Sequence, residues 1–118
     1  MKAITVWEPW ASLIAEAADR EGFKTIETRR HNRCRGVVGQ RIAIHAAKTS
    51  VDIRCVSPLV GKWSNAAAKW LDDNWPMSNT RGAVVATAYV AEARRLTEAD
   101  SEHALCQCNS TLFGLILA

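Results

Sequence analysis

No apolar run in this 118-residue chain approaches the ~20 residues that a membrane-spanning helix needs, so a helical membrane protein is excluded and no membrane partner is expected. No secretory leader is expected either. Lys2 is followed by only a short apolar stretch, broken at Glu8 and Pro9, which points to a cytoplasmic location. The four cysteines (Cys34, Cys55, Cys106, Cys108) lack the spacing of a disulfide framework. His31-x-x-Cys34 and Cys106-x-Cys108 could together supply four metal ligands, but neither half has the Cys-Cys gap usual in structural zinc sites. Ordinary thiols are expected, with no metal and no other cofactor. No internal repeat, low-complexity tract or linker interrupts the chain, which therefore reads as a single domain over residues 1–118.

What the chain does have is an ordinary globular composition, 48% hydrophobic and 23% charged, with length enough for one core. Its net charge of +3 is unevenly spread. Residues 24 to 41 hold Lys24, Arg29, Arg30, Arg33, Arg35 and Arg41 against Glu27 alone, a net +5. The remainder holds nine basic and eleven acidic residues, a net −2. A basic segment on a near-neutral body is a local footprint for phosphate, and Arg33 and Arg35 are candidate phosphate contacts within it.

Lys2 to Val6 reads as a strand, and Pro9 opens a helix in which Trp10, Leu13, Ile14 and Ala17 form one apolar stripe. That pattern assigns Trp10 to the core and leaves Trp7, at the strand end, to face a cleft. Gly22 supplies the positive φ that commonly closes a helix, and Gly22 to Arg29 continues as a strand. Period-two alternation puts Thr25, Glu27 and Arg29 on one face, with Ile26 and Thr28 on the other. Lys24 stands at the turn, so lysine, glutamate and arginine make a pocket of fixed charge suited to a polar, planar ligand.

Arg41 to Ala46 is a strand with Ile42 and Ile44 facing one way, and Ala43 and His45 the other. His45 is kept as a candidate contact. Residues 65 to 75 read as a helix with Ala66, Ala67, Trp70 and Leu71 in its stripe; Pro76 stops it and a loop runs to Gly82. Trp63, Trp70 and Trp75 are expected to be packing anchors. Ala83 to Ala93 is a long strand, Thr97 to Asp100 a capped helix start, and Thr111 to Leu117 a last apolar strand.

The stretch Gly22-Phe23-Lys24-Thr25-Ile26-Glu27-Thr28-Arg29 resembles the G-x-K-x-x-E-x-R pattern of the ASCH domains, named for the activating signal cointegrator and a branch of the PUA-like fold. Residues 4–14 are similar to the opening strand and helix of that family. Arg35-Gly36 with residues 41–48 is similar to its next strand, and residues 82–86 to a later one. The ordered segments cover about 100 residues; residues 49 to 81 resemble the family least.

The resemblance implies an α+β fold, a PUA-like small mixed β-barrel with flanking short helices, whose closure would hide apolar strand edges. It also implies a pocket beside the first strand-to-helix turn and binding of RNA, another single-stranded nucleic acid or a nucleotide. In that reading Trp7 stacks on a base, Glu27 accepts from the base edge, Lys24, Arg29 and Lys48 meet phosphate, and Lys48 lies near the pocket mouth. Some members of the family are enzymes, including a ribonuclease and a branch that hydrolyses the amide of acetylated cytidine. Lys24 matches the activating lysine of that branch, whereas Glu27 stands where its threonine nucleophile would be. The alternatives are therefore a hydrolase acting on RNA or a modified nucleoside, with Lys24 and Glu27 as an acid/base pair, and a protein-interaction adaptor.

Overall fold

The computed structural model describes residues 1–20, 23–50, 53–77 and 80–118. Five strands form one mixed sheet: β1 (Ala3–Glu8), β2 (Ile26–Arg29), β3 (Arg41–Ser50), β4 (Val84–Arg95) and β5 (Phe113–Leu117). Their spatial order is β1-β3-β4-β5-β2. β1 runs parallel to β3 and the other three pairings are antiparallel. The chain is thus α+β, and the sheet curls until its two edge strands face each other. Arg29 Nη2 on β2 donates to the carbonyl of Thr5 on β1 at 3.3 Å, spanning the gap. The barrel expected from the sequence is consequently a half-barrel with a seam. Among the described residues, a side chain rather than a backbone ladder bridges that seam.

Alternation on the strands explains which face is inside. Ile42 and Ile44 on β3 are fully buried with Ile4, Val6, Val90 and Leu115 in the cluster under the sheet. Each such side chain contributes about 1.5–3 kcal/mol of burial. Helix α1 (Trp10–Ala15) sets Ala11 and Ile14 on that cluster and turns Leu13 into a second one. The second cluster joins Phe23 to α2 (Ile53–Gly61) and α3 (Asn65–Asn74) through Val56, Val60, Ala67 and Leu71.

Residues 53 to 61 give no helical signal in the sequence reading, because Pro58 lies inside the helix where its missing N–H and ring usually forbid one. α3 starts where Ser64 Oγ accepts from Ala67 N at 3.0 Å, a side-chain cap. Ala67 and Leu71 are the buried pair of its stripe, while Ala66 is exposed rather than packed. Trp63, Trp70 and Trp75 are half-buried against this cluster, and Trp70 meets Phe23 edge-on at 5.8 Å between ring centroids.

Element ends differ from expectation in instructive places. The expected helix closure by Gly22 falls on a residue outside those described. β2 starts at Ile26 rather than Gly22, because Thr25 N donates to His103 O at 2.8 Å and ties the preceding backbone to α4 (Ser101–Ala104). Gly114 on β5 is required where it stands: a Cβ there would lie 2.4 Å from Leu96 Cδ2 and 3.0 Å from Ile26 Cγ2.

The expected capped helix start at Thr97 is present. The buried Asp100 carboxylate accepts from Thr97 N at 2.8 Å and from both terminal nitrogens of Arg94 at 2.8 Å. Chiefly through the Arg94 hydrogen bonds, its pKa is held well below the usual carboxylate range. A depressed folded-state pKa stabilises the fold above the unfolded-state value and is lost as pH falls. Asp100→Asn should therefore cost about 1–3 kcal/mol at neutral pH. That gap should shrink steadily below about pH 5 in urea titrations; a gap independent of pH would show that charge is not the cause.

Candidate functional site

Three elements meet at the seam. β1 brings Thr5, Val6 and Trp7; α1 brings Trp10; β2 and the residue after it bring Glu27, Thr28, Arg29 and Arg30. Together they line a cleft of about 560 Å³. Behind it lies an inner cavity of about 170 Å³ that shares Trp10, Glu27 and Thr28 with the cleft and adds Lys24 and Cys106. That inner space lies below the roughly 300–1,000 Å³ of drug-sized sites and suits a single small ring or the edge of a larger group.

The turn from β1 into α1 is fixed by a buried carboxylate. Glu8 is fully buried, and its oxygens accept from Ser12 N at 2.8 Å, from Ser12 Oγ at 2.6 Å and from Thr80 Oγ1. These bonds satisfy a free N–H of the first helical turn and set the angle between Trp7 and Trp10. Trp7 is 52% exposed at the lip of the cleft. Trp10 is half-buried rather than a core side chain. It packs against both main clusters and walls the cleft and the inner cavity.

Lys24 is only 2% exposed, and so does not swing freely toward either face. Its ammonium donates to Ala104 O at 2.7 Å, lies 3.6 Å from Glu27 Oε1 and sits 5.6 Å from the centroid of the Trp10 ring. The Ala104 carbonyl ends α4, so the cation occupies the negative end of that short helix. Glu27 is held from its other side by Arg29, whose Nη2 is 3.5 Å from Oε2. The carboxylate is thus buried between two cations and still borders both cavities. Arg29 Nε is buried without a hydrogen-bond partner among the described residues.

The structure brings Trp7, Lys24, Glu27 and Arg29 together. His45 borders the group: it is paired across the strands with Thr5, and its Nδ1 lies 3.4 Å from Thr5 Oγ1. Lys48 is exposed with its stem against Gly82 and lines neither cavity. Arg33 and Arg35 are exposed on the 3-10 turn Arg33–Val37, which packs toward β4, and they line neither cavity.

Thr28, Arg30, Cys106 and the Ala104 carbonyl are site members that the sequence reading passed over. Strand alternation puts Thr28 on the face away from Glu27, yet both border the cavities because β2 is a sheet edge reached from the side. Its hydroxyl lies 3.8 Å from Cys106 Sγ. Neighbouring Cys108 is fully buried, and burial together with Cys106 pushes its thiol up to about 11, leaving it protonated at neutral pH. Cys34 packs under the sheet with the first cluster, apart from this pair. Among the described residues, no group of three or more His, Cys, Asp or Glu side chains is placed to hold a metal ion.

No helix among the described residues is long and apolar enough to cross a membrane. No protein-family model matches the chain, and no curated protein sequence matches it.

Proposed function

We propose that this chain is an ASCH-like, PUA-like domain that binds single-stranded RNA or its nucleotides at the seam between β1 and β2. The observation that carries this reading is the environment of Glu27, an acceptor carboxylate locked between Lys24 and Arg29 with Trp10 beside it. A carboxylate held in this way accepts from an amino or ring N–H without being free to turn away. Trp10 and the exposed Trp7 supply ring faces for stacking. Arg29 and Arg30, both in the cleft lining, supply positive charge toward phosphate. Lys24 acts from behind, with its ammonium already engaged by Ala104 O, and holds Glu27 rather than touching phosphate.

One observation favours a hydrolytic second reading: the Thr28 hydroxyl and the Cys106 thiol border the same inner cavity as Lys24 and Glu27. The same assay separates the two readings. Affinity for a short single-stranded RNA should fall steeply with salt. Arg30→Ala should flatten the dependence by about one unit of log affinity per log salt. Replacing Arg33 and Arg35 together should change the slope less than Arg30→Ala alone, because neither lines the cleft. The reverse order would move the phosphate path onto the 3-10 turn. RNA recovered intact after incubation supports binding; RNA cut by wild type but not by Glu27→Gln supports the hydrolase.

A further inference from the structure

A third hollow, of about 230 Å³, continues the site on its far side. It shares Trp10 and Cys106 with the inner cavity, so these two side chains form a wall between the two spaces. Beyond that wall the lining changes character. Leu59 at the end of α2, Leu105 and Trp63 make an apolar, aromatic recess, with Lys62 and Gln107 exposed at its edge. Leu105 caps α4 in the left-handed conformation, φ 54°, and this turn carries Cys106 to its place between the two spaces. The seam cleft, the inner cavity and this recess thus all share Trp10, and the polar, charged space is the middle one.

From this adjacency across a shared wall we infer that the recess is a second base subsite of the same site: it takes the base of the nucleotide next to the one held at Glu27, stacked on Trp63, with Lys62 against the intervening phosphate. The inference rests on the proposed RNA-binding reading and extends it to the length of strand bound. The occupant is set by two features. An apolar recess with a tryptophan in its wall suits a π-face, and every base has one whatever its identity. An exposed lysine beside it suits the phosphate that must accompany such a base. A purely apolar ligand would leave the charged middle space and Lys62 without partners.

The test compares uridine 5′-monophosphate with the trinucleotide UpUpU on the full chain by calorimetry, in wild type and in three variants. The trinucleotide should bind wild type at least about tenfold more tightly, the gain that stacking of a further base brings. Trp63→Ala should remove most of that gain. Because Trp63 also packs against the second cluster and its variant could unfold, Leu59→Glu and Lys62→Glu provide exposed substitutions in the same recess. Each should reduce the gain several-fold and leave monophosphate affinity unchanged. A length-dependent gain that survives both exposed substitutions would overturn the subsite, and so would equal affinity for the two probes. In either case monophosphate binding that is sensitive to Glu27→Gln would leave the main site standing. No binding of either probe would remove the main site and the subsite with it.

Discussion

Lys24→Met should lower folding stability by about 3 kcal/mol and weaken RNA binding at least tenfold. The substitution keeps most of the side-chain volume but removes the ammonium. The Ala104 carbonyl then has lost its donor, and the Glu27 carboxylate remains buried with only Arg29 beside it. Removing one member of a buried pair ordinarily costs about 3–5 kcal/mol, and the surviving Arg29 contact places this case at the low end. The diagnostic result is the double variant. Lys24→Met with Glu27→Leu should be more stable than Lys24→Met alone, since the uncompensated charge is gone. It should nevertheless fail to bind RNA. Additive losses in urea denaturation would mean that the two side chains are not coupled in the fold.

Trp10→Ala should be comparably damaging, at about 3–5 kcal/mol, although Trp10 is only half-buried. Its ring packs against both main clusters, stands beside the Lys24 ammonium and walls the cleft, the inner cavity and the apolar recess. Truncation would open the three hollows into one another and admit water to a charge pair now largely shielded from it. Trp7→Ala is the contrasting case. With half of its surface already exposed, it should leave the unfolding midpoint nearly unchanged and cost ~1–3 kcal/mol of RNA affinity. Equal destabilisation by the two substitutions would show that Trp7 is a packing residue and not a stacking face.

The parts of this molecule legible in its sequence are those decided by local physics. Ile42 and Ile44 alternate because a sheet has two faces, and both are fully buried on one of them. Thr97 and Asp100 meet because a helix start leaves free N–H groups that a side chain three residues on can help to satisfy. Lys24, Glu27 and Arg29 meet because they are close along the chain. What escaped the reading is non-local or masked by a rule. Ala104 O reaches Lys24 across 80 residues, and Cys106 reaches Thr28 across 78, through the docking of α4 against the sheet edge. α2 forms despite Pro58 because Val56 and Val60 have a core to bury against. Arg33 and Arg35 belong to the basic segment by count, but the turn that carries them packs toward β4 and they line neither the cleft nor the inner cavity. Clustering along the chain did not become clustering in space.

The proposed path of the RNA is the seam between β1 and β2. It is tested most directly by following backbone amide resonances while UpUpU is added to the wild-type protein. Binding at the seam should shift Thr5 to Trp7 and Glu27 to Arg30 first and furthest, with smaller changes at Trp63 and Cys106. Shifts confined to Arg33–Val37, or to the separate hollow of about 440 Å³ beside Ser12, Trp70 and Thr80, would contradict it. So would a spectrum that does not change at all.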